Sequence, residues 1–259
     1  MSPTTPSATT PLTRRLVEPN PGPMTLDGTN SWIIQASGAE SVVIVDPGNL
    51  GYEEHLAALA AHRVELILLT HHHLDHSEAA PELARLTGAP IRSAQAALSQ
   101  GAPPLADGEI VRAAGVAIEV LATPGHTADS LSFHLPEDGP NGSVLTGDMI
   151  LGRGTTILGT EAGTLGAYLA SIERLRGLGP ATVLPGHADP LPSLEAVCDE
   201  YLAHRRARLE QVRAALAQLG PDADAEAVTD VVYTEIAENV RHAALISVQA
   251  QLEYLRSAH

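Results

Sequence analysis

The sequence predicts an α/β fold, and three observations carry that expectation. Short apolar runs rich in β-branched residues recur between residues 31 and 184, each stopping at a turn that carries Asp or His. Amphipathic patterns, with apolar residues three and four apart, fall between those runs and read as helices. From Pro192 onward the pattern is almost continuously helical, which predicts a small helical C-terminal domain.

Taken in order, residues 1–15 are rich in Ser, Thr and Pro, lack the apolar core of a secretory signal, and are expected to be a flexible tail. A strand at 42–45 ends at Asp46-Pro47-Gly48 and leads into a helix at 53–62. A strand at 66–69 runs directly into Thr70-His71, with a helix at 77–86 behind it. Strands at 118–121 and 144–145 stop at Thr123-Pro124-Gly125-His126 and Thr146-Gly147-Asp148. A helix at 164–178 precedes a last strand at 183–184, which stops at Pro185-Gly186-His187. Helices at 193–219, 224–238 and 240–257 follow, the first two separated by a Gly220-Pro221 break. The expected division is therefore a tail at 1–15, a catalytic domain at 16–195 and a helical domain at 196–259.

Composition removes whole classes of function. The 31 acidic residues against 15 basic ones give a net charge of −16, which argues against duplex DNA or any broad nucleic-acid surface. Every basic residue is arginine, so neither a Schiff-base lysine nor the lysine of a phosphate-binding loop can be present. Cys198 is the single cysteine, which excludes an intrachain disulfide and any cysteine-held metal cluster, and suits a cytoplasmic protein. No stretch approaches the roughly 20 apolar residues of a membrane span. One Trp, five Tyr and one Phe leave a core of Ala, Leu, Val and Ile and no aromatic platform for stacking bases.

Chemistry concentrates in the run Thr70-His71-His72-His73-Leu74-Asp75-His76. A histidine tract alone is a compositional hint of metal binding, since a solvated loop looks the same. His126, Asp148 and His187, however, stand at the same kind of strand-end position. If the strands form one layered core, these ends converge on one rim, and the imidazoles and carboxylates suffice for two metal ions with a position left for water.

In this arrangement His71-x-His73-x-Asp75-His76, followed by His126, Asp148 and His187, resembles the ligand set of the metallo-β-lactamase superfamily. The contexts Asp-Pro-Gly at 46–48, Pro-Gly-His-Thr at 124–127, Thr-Gly-Asp at 146–148 and Pro-Gly-His at 185–187 agree with it. The resemblance spans residues 25–192 and implies a four-layer αβ/βα sandwich with the metals at one rim. It makes His71, His73 and His126 ligands of one metal, Asp75, His76 and His187 ligands of the other, and Asp148 the bridge. It further implies a hydroxide shared by two zinc ions as the nucleophile, oriented by Asp75; manganese or iron can occupy similar ligands. Asp46 and Thr70 are candidates to hold the ligating imidazoles from behind, Asp46 being equally readable as a turn former before Pro47.

Residues 20–30, the loop Gly152-Arg153-Gly154-Thr155-Thr156 and the helical C-terminus are similar to the lactamase-β-2-like branch, whose C-terminal segment is winged-helix-like and which includes an endoribonuclease acting on single-stranded RNA. The first expectation is therefore a metal-dependent hydrolase of a phosphodiester, with Asn30, Arg153, Thr155 and Thr156 contacting the substrate. The alternative is a thioester hydrolase, either a carrier-protein thioesterase or glyoxalase II-like, which the acidic balance suits. A β-lactamase and a non-catalytic metal-binding interaction protein rank behind both. Partners are then a small molecule or single-stranded RNA, no membrane, and a second copy as a candidate homodimer. His55, His62, His72, His134, His204, His242 and His259 carry no motif and are expected to be structural or solvated, and Cys198 to be a packed thiol.

Overall fold

The computed structural model describes residues 5–156, 158, 165–234 and 238–257. One sheet contains β1 (Ser7–Ala8), β2 (Thr13–Val17), β3 (Asn30–Ile34), β4 (Val42–Val45), β5 (Val64–Leu68) and β6 (Ile91–Arg92), side by side in that order. The other contains β7 (Ile110–Ala113), β8 (Val116–Ala122), β9 (Leu131–Leu135), β10 (Ser143–Gly147) and β11 (Thr182–Pro185), again in sequence order. Helices α1 (Glu53–Ala60), α2 (Leu74–Ser77), α3 (Ala80–Thr87) and α4 (Leu165–Arg176) connect the strands, and α5 (Leu194–Leu219), α6 (Ala225–Val232) and α7 (Glu238–Ser257) form the C-terminal part. The expected helix at 164–178 is α4; residue 164 lies outside the described residues, as do 235–237 of the expected helix at 224–238.

Alternation along the strands builds the four layers of an αβ/βα sandwich. Trp32, Ile34, Val43, Val45, Leu66 and Leu68 face Ile118, Val120, Phe133 and Leu145 across the space between the sheets. Their neighbours Ile33, Ile44 and Ile67 point the other way and pack with Leu59 and Leu83 of α1 and α3. On the far side, Leu121, Val144 and Val183 pack beneath Tyr168 and Ile172 of α4 and Cys198 and Leu202 of α5. That same cluster continues to Val228, Val248 and Leu252 of α6 and α7, so the helical C-terminal part shares a core with the second sheet.

Strand direction places the chemistry. β4 and β5 are parallel, as are β10 and β11. β8 and β10 both run antiparallel to β9 and so point the same way. All five strand ends singled out in the sequence therefore belong to strands whose C-terminal ends share a direction within each sheet.

The tail expected at residues 1–15 needs correction over its described part. Thr13–Val17 pairs along its whole length with β3, and Thr13 and Leu16 are buried. Asp138 anchors the approach by accepting from Thr10 Oγ1 at 2.6 Å and from Leu12 N at 2.9 Å. Ser and Thr suit strands as well as tails, and it is these long-range bonds that decide between the two.

Candidate metal centre

The run after β5 turns sharply into α2, with His73 at the helix N-cap position, so that His71 and His73 precede the helix while Asp75 and His76 lie on its single turn. His126, Asp148 and His187 arrive from the ends of β8, β10 and β11. The His71 Nε2 and His126 Nε2 atoms stand 3.1 and 3.0 Å from His73 Nδ1. His76 Nε2 and His187 Nε2 are 3.3 Å apart, and each is within 3.3 Å of Asp75 Oδ2. Asp148 lies between the groups, its Oδ1 at 3.4 Å from His76 Nε2 and its Oδ2 at 3.3 Å from His187 Nε2 and 3.7 Å from His126 Nε2. The three groups His71–His73–His126, His71–His76–Asp148 and Asp75–His76–His187 each keep their donor atoms within 4.8 Å of one another. All seven expected ligands are thus brought together.

The donor set fits metal ions in its hydrogen bonding as well. His76 Nδ1–H donates to Asp46 Oδ2 at 2.9 Å. The Thr70 hydroxyl donates to the same oxygen at 2.6 Å and can therefore accept from His71 Nδ1–H, 3.0 Å away. His126 Nδ1 meets Thr156 Oγ1 at 3.1 Å, and His187 Nδ1–H donates to the Gly28 carbonyl at 3.3 Å. With the outward nitrogens engaged in this way, Nε2 is the nitrogen that each of these four rings turns inward, the orientation a metal ligand requires. The Asp148 Oδ1 atom is buried without a hydrogen-bond donor, an orphaned carboxylate oxygen that a cation would satisfy.

Electrostatics describe the same site. Burial drives the pKa of His71 well below its ordinary value and that of His73 down to about 4, with the neighbouring imidazoles adding to the effect. Burial also opposes charge on His76 and His187, but the surrounding carboxylates, Asp148 foremost, outweigh it, lifting His76 well above the ordinary value and His187 to about 9. Asp75 and Asp148, which burial alone would raise, are held well below the usual carboxylate range by these same histidines. The concentrated negative charge attracts positive charge to the positions that divalent cations would take.

The hydrogen-bond partners behind the ligands are partly those expected. Asp46 sits at φ 54° and accepts from Thr70 N, Thr70 Oγ1 and His76 Nδ1, so it anchors two of the candidate ligands, His76 directly and His71 through Thr70, and is not merely a turn former. Thr156, expected to contact substrate, is instead buried against His126. Asn30 is also buried, its amide donating to the carbonyls of Pro185 and Ala188 at 2.9 and 2.8 Å; it ties β3 to the β11 turn and does not roof the site. Arg153 is exposed and pairs through both terminal nitrogens with Asp27, while Thr155 is half-buried on the same loop. His72 turns away from the centre to Asp129, 2.7 Å distant. Cys198 is buried, its thiol pushed up to about 12.

Sequence reasoning missed a buried support on the β2 side. Thr29 Oγ1 donates to Asp75 Oδ2 at 3.3 Å, and Asn20 holds Thr29 through its backbone N–H at 2.8 Å. Behind Asn20 lies the fully buried Glu18, which accepts from Asn49 N at 2.7 Å and whose carboxyl is lifted to about 7 by burial. The Asn20–Thr29–Asn30 stretch was visible as a motif, but nothing local ties it to Asp75, 46 residues downstream of Thr29.

Comparison with known proteins agrees with the geometry. Residues 24–187 match the metallo-beta-lactamase superfamily. A Caenorhabditis elegans relative, beta-lactamase-like protein 2 homolog, is 31% identical over 254 residues, covering 93% of this chain and 83% of that protein. An Aspergillus fumigatus relative, atrochrysone carboxyl ACP thioesterase, is 33% identical over 214 residues, which span 80% of this chain and 65% of that protein. The crystal structure of a metallo-beta-lactamase family protein from Thermus thermophilus superposes with a TM-score of 0.74 at 28% identity, covering 96% of this chain and 94% of that one. The chain belongs to the metallo-beta-lactamase superfamily, within its lactamase-β-2-like branch.

Proposed function

We propose that this chain is a dinuclear zinc hydrolase whose substrate is an acyl thioester. The observation that carries the substrate reading is the character of the rim beside Asp75. Leu74, between two ligands, is 64% exposed, and Leu50 and Met24 on adjacent loops are 49% and 64% exposed. The loops are linked: Leu50 N donates to Glu78 Oε2, one turn beyond Leu74, and Asn20 Nδ2 donates to Asn49 Oδ1. Large apolar side chains left in water beside a ligand cluster suit an acyl chain better than a polyanion. The guanidiniums of Arg15 and Arg153 on this side are bonded to Asp189 and Asp27, and the net charge of −16 repels phosphate chains. A relative carrying the name of an acyl-carrier-protein thioesterase accords with this reading.

Zinc is the metal that His and Asp donors most often hold, and manganese and iron use the same set. His71, His73 and His126 would hold one ion, Asp75, His76 and His187 the other, and Asp148 both. When bound, such a pair supplies Lewis acidity that activates water and offsets developing oxyanion charge. Asp75, ionised and steadied by Thr29, orients the attacking water through a carboxylate oxygen; its low pKa suits it to accepting a hydrogen bond more than to keeping a proton. Asp46 holds His76 by its Nδ1 directly and His71 by its Nδ1 through Thr70, so that the Nε2 atoms are the ones turned to the centre. Addition of water at the thioester carbonyl carbon and cleavage of the C–S bond yield a carboxylic acid, with the proton leaving on the thiol.

A panel of acyl thioesters, followed by thiol release with zinc-loaded protein, tests the proposal beside Asp148→Ala and a chelator control. Turnover lost in both controls supports it, and a folded, zinc-loaded protein inert toward the panel defeats it. The second reading, a phosphodiester in single-stranded RNA, is favoured by Arg153 standing on the loop that carries Thr156 to His126; its exposed pair with Asp27 is screened by water, so a phosphate can displace the carboxylate. Cleavage of labelled RNA that disappears in Asp148→Ala would establish it instead.

A further inference from the structure

Helix α5 holds the loop that lies behind His126. Arg205, on its inward face, is 5% exposed and donates from Nη2 to the Thr156 carbonyl at 2.6 Å. One turn earlier Tyr201 grips the same loop, its hydroxyl donating to the Gly154 carbonyl at 2.8 Å and accepting from Leu151 N at 3.2 Å. Thr156 in turn meets His126 Nδ1. A second route leads to the same ligand: the Arg205 guanidinium lies 5.0 Å from the Tyr168 ring centroid, and Tyr168 packs so closely on Gly125 that a Cβ there would fall 2.6 Å from Tyr168 Cα. Gly125 immediately precedes His126.

We propose that Arg205 is a positioning residue for the metal centre, holding His126 through Thr156 and coupling the C-terminal helices to one of the two cations. Burying a guanidinium is costly, and a methionine would fill the same space without that cost, so packing alone does not account for an arginine here. Its hydrogen bond fixes the carbonyl of the residue whose hydroxyl sets the tautomer and rotation of His126, and outer partners of this kind alter metal affinity about 10- to 100-fold. The inference rests on the reading of His71, His73 and His126 as ligands of one cation.

The test is cobalt titration of the metal-free full chain, followed by d–d absorption and chelator competition, for wild type, Arg205→Met, Thr156→Val and the double variant. Arg205→Met is expected to weaken the His71–His73–His126 position by about tenfold and leave the Asp75–His76–His187 position unchanged. Thr156→Val should weaken the same position, and the double variant should be no worse than Arg205→Met alone, because Arg205→Met already removes the support that Thr156 relays. Unchanged affinities in a folded Arg205→Met, equal losses at both positions, or fully multiplicative losses in the double variant overturn the proposal. If Arg205→Met does not fold, Arg205→Lys, which keeps the charge and loses the planar fork, is compared with and without Thr156→Val under the same criteria. A wild type that binds no cobalt at three histidines would instead refute the ligand reading itself.

Discussion

Asp46 and His76 are joined Oδ2 to Nδ1 at 2.9 Å, both buried, and through Thr70 the same carboxylate also reaches His71. One side chain therefore sets the tautomer of a histidine in each of the two outer ligand groups. Asparagine tolerates the positive φ of this position and keeps the shape, but its amide nitrogen replaces an oxygen that accepts from Thr70 or His76, so Asp46→Asn removes the charge and one acceptor together. Zinc affinity is expected to fall about 10- to 100-fold at both positions. If competition titration shows only the His76 position weakened, the path through Thr70 is not operating.

Gly186 adjoins the ligand His187, and a Cβ there would stand 2.4 Å from Asp148 Oδ1 and 2.7 Å from His76 Cε1. Its φ lies outside the left-handed region, so alanine suits the local conformation, and the severest conflicts are with Asp148 and His76, ahead of a tight 3.1 Å approach to the Gly147 backbone carbon. Gly186→Ala is expected to fold with an unchanged far-ultraviolet spectrum and to lose at least about tenfold in zinc affinity. Metal content after desalting reads the outcome, and full retention of zinc would show that Asp148 can move without cost.

The candidate ligands were legible in the sequence because they follow apolar runs that stop at polar turns, a pattern that survives without knowledge of the partners. The supports were less so. Strand β3 opens with the polar Asn30 and Ser31, which are buried because Pro185, Ala188 and Asp46 offer them carbonyls from distant segments. Strand β9 carries Ser132 and His134, which pair across the sheet with Thr123 and Glu119. By helical spacing alone Arg205 groups with Arg206, Arg208 and Arg213, offset by Glu195, Glu200 and Glu210, as a solvated helix face; α5 instead packs on the second sheet and buries it. What sequence periodicity conveys is which face a residue occupies; which polar residue is satisfied by which remote carbonyl depends on tertiary contact.

His55 gives a pH dependence of definite sign. It is buried on α1, its Nε2 is 2.8 Å from Ser31 Oγ, and that hydroxyl donates to the Asp46 carbonyl. Burial lowers its pKa from 6.5 to about 4. The unfolded chain takes up a proton below about 6.5 and the folded one only near 4, so this contribution to stability is intact above 6.5 and declines as pH falls between those values, by at most about 3 kcal/mol. His55→Leu removes the titration and also the buried Nδ1 that lacks a partner. The stability of the variant relative to wild type should rise as pH falls from 7 to 4.5, read from urea midpoints, and a pH-independent difference would exclude this account.

Leu74 and Arg153 separate the two substrate classes. If an acyl chain lies on the rim, Leu74→Ser should lower kcat/KM for long-chain thioesters about tenfold, equivalent to about 1.4 kcal/mol of lost apolar contact, and leave short-chain ones nearly unchanged. Arg153→Ala should then change thioester turnover by less than about threefold, since its guanidinium is engaged by Asp27 at the surface. A phosphodiester substrate reverses the pattern: removing Arg153 costs a cation facing phosphate, and removing the Leu74 side chain costs little. Measuring both variants against both substrates assigns the rim by which of the two losses appears.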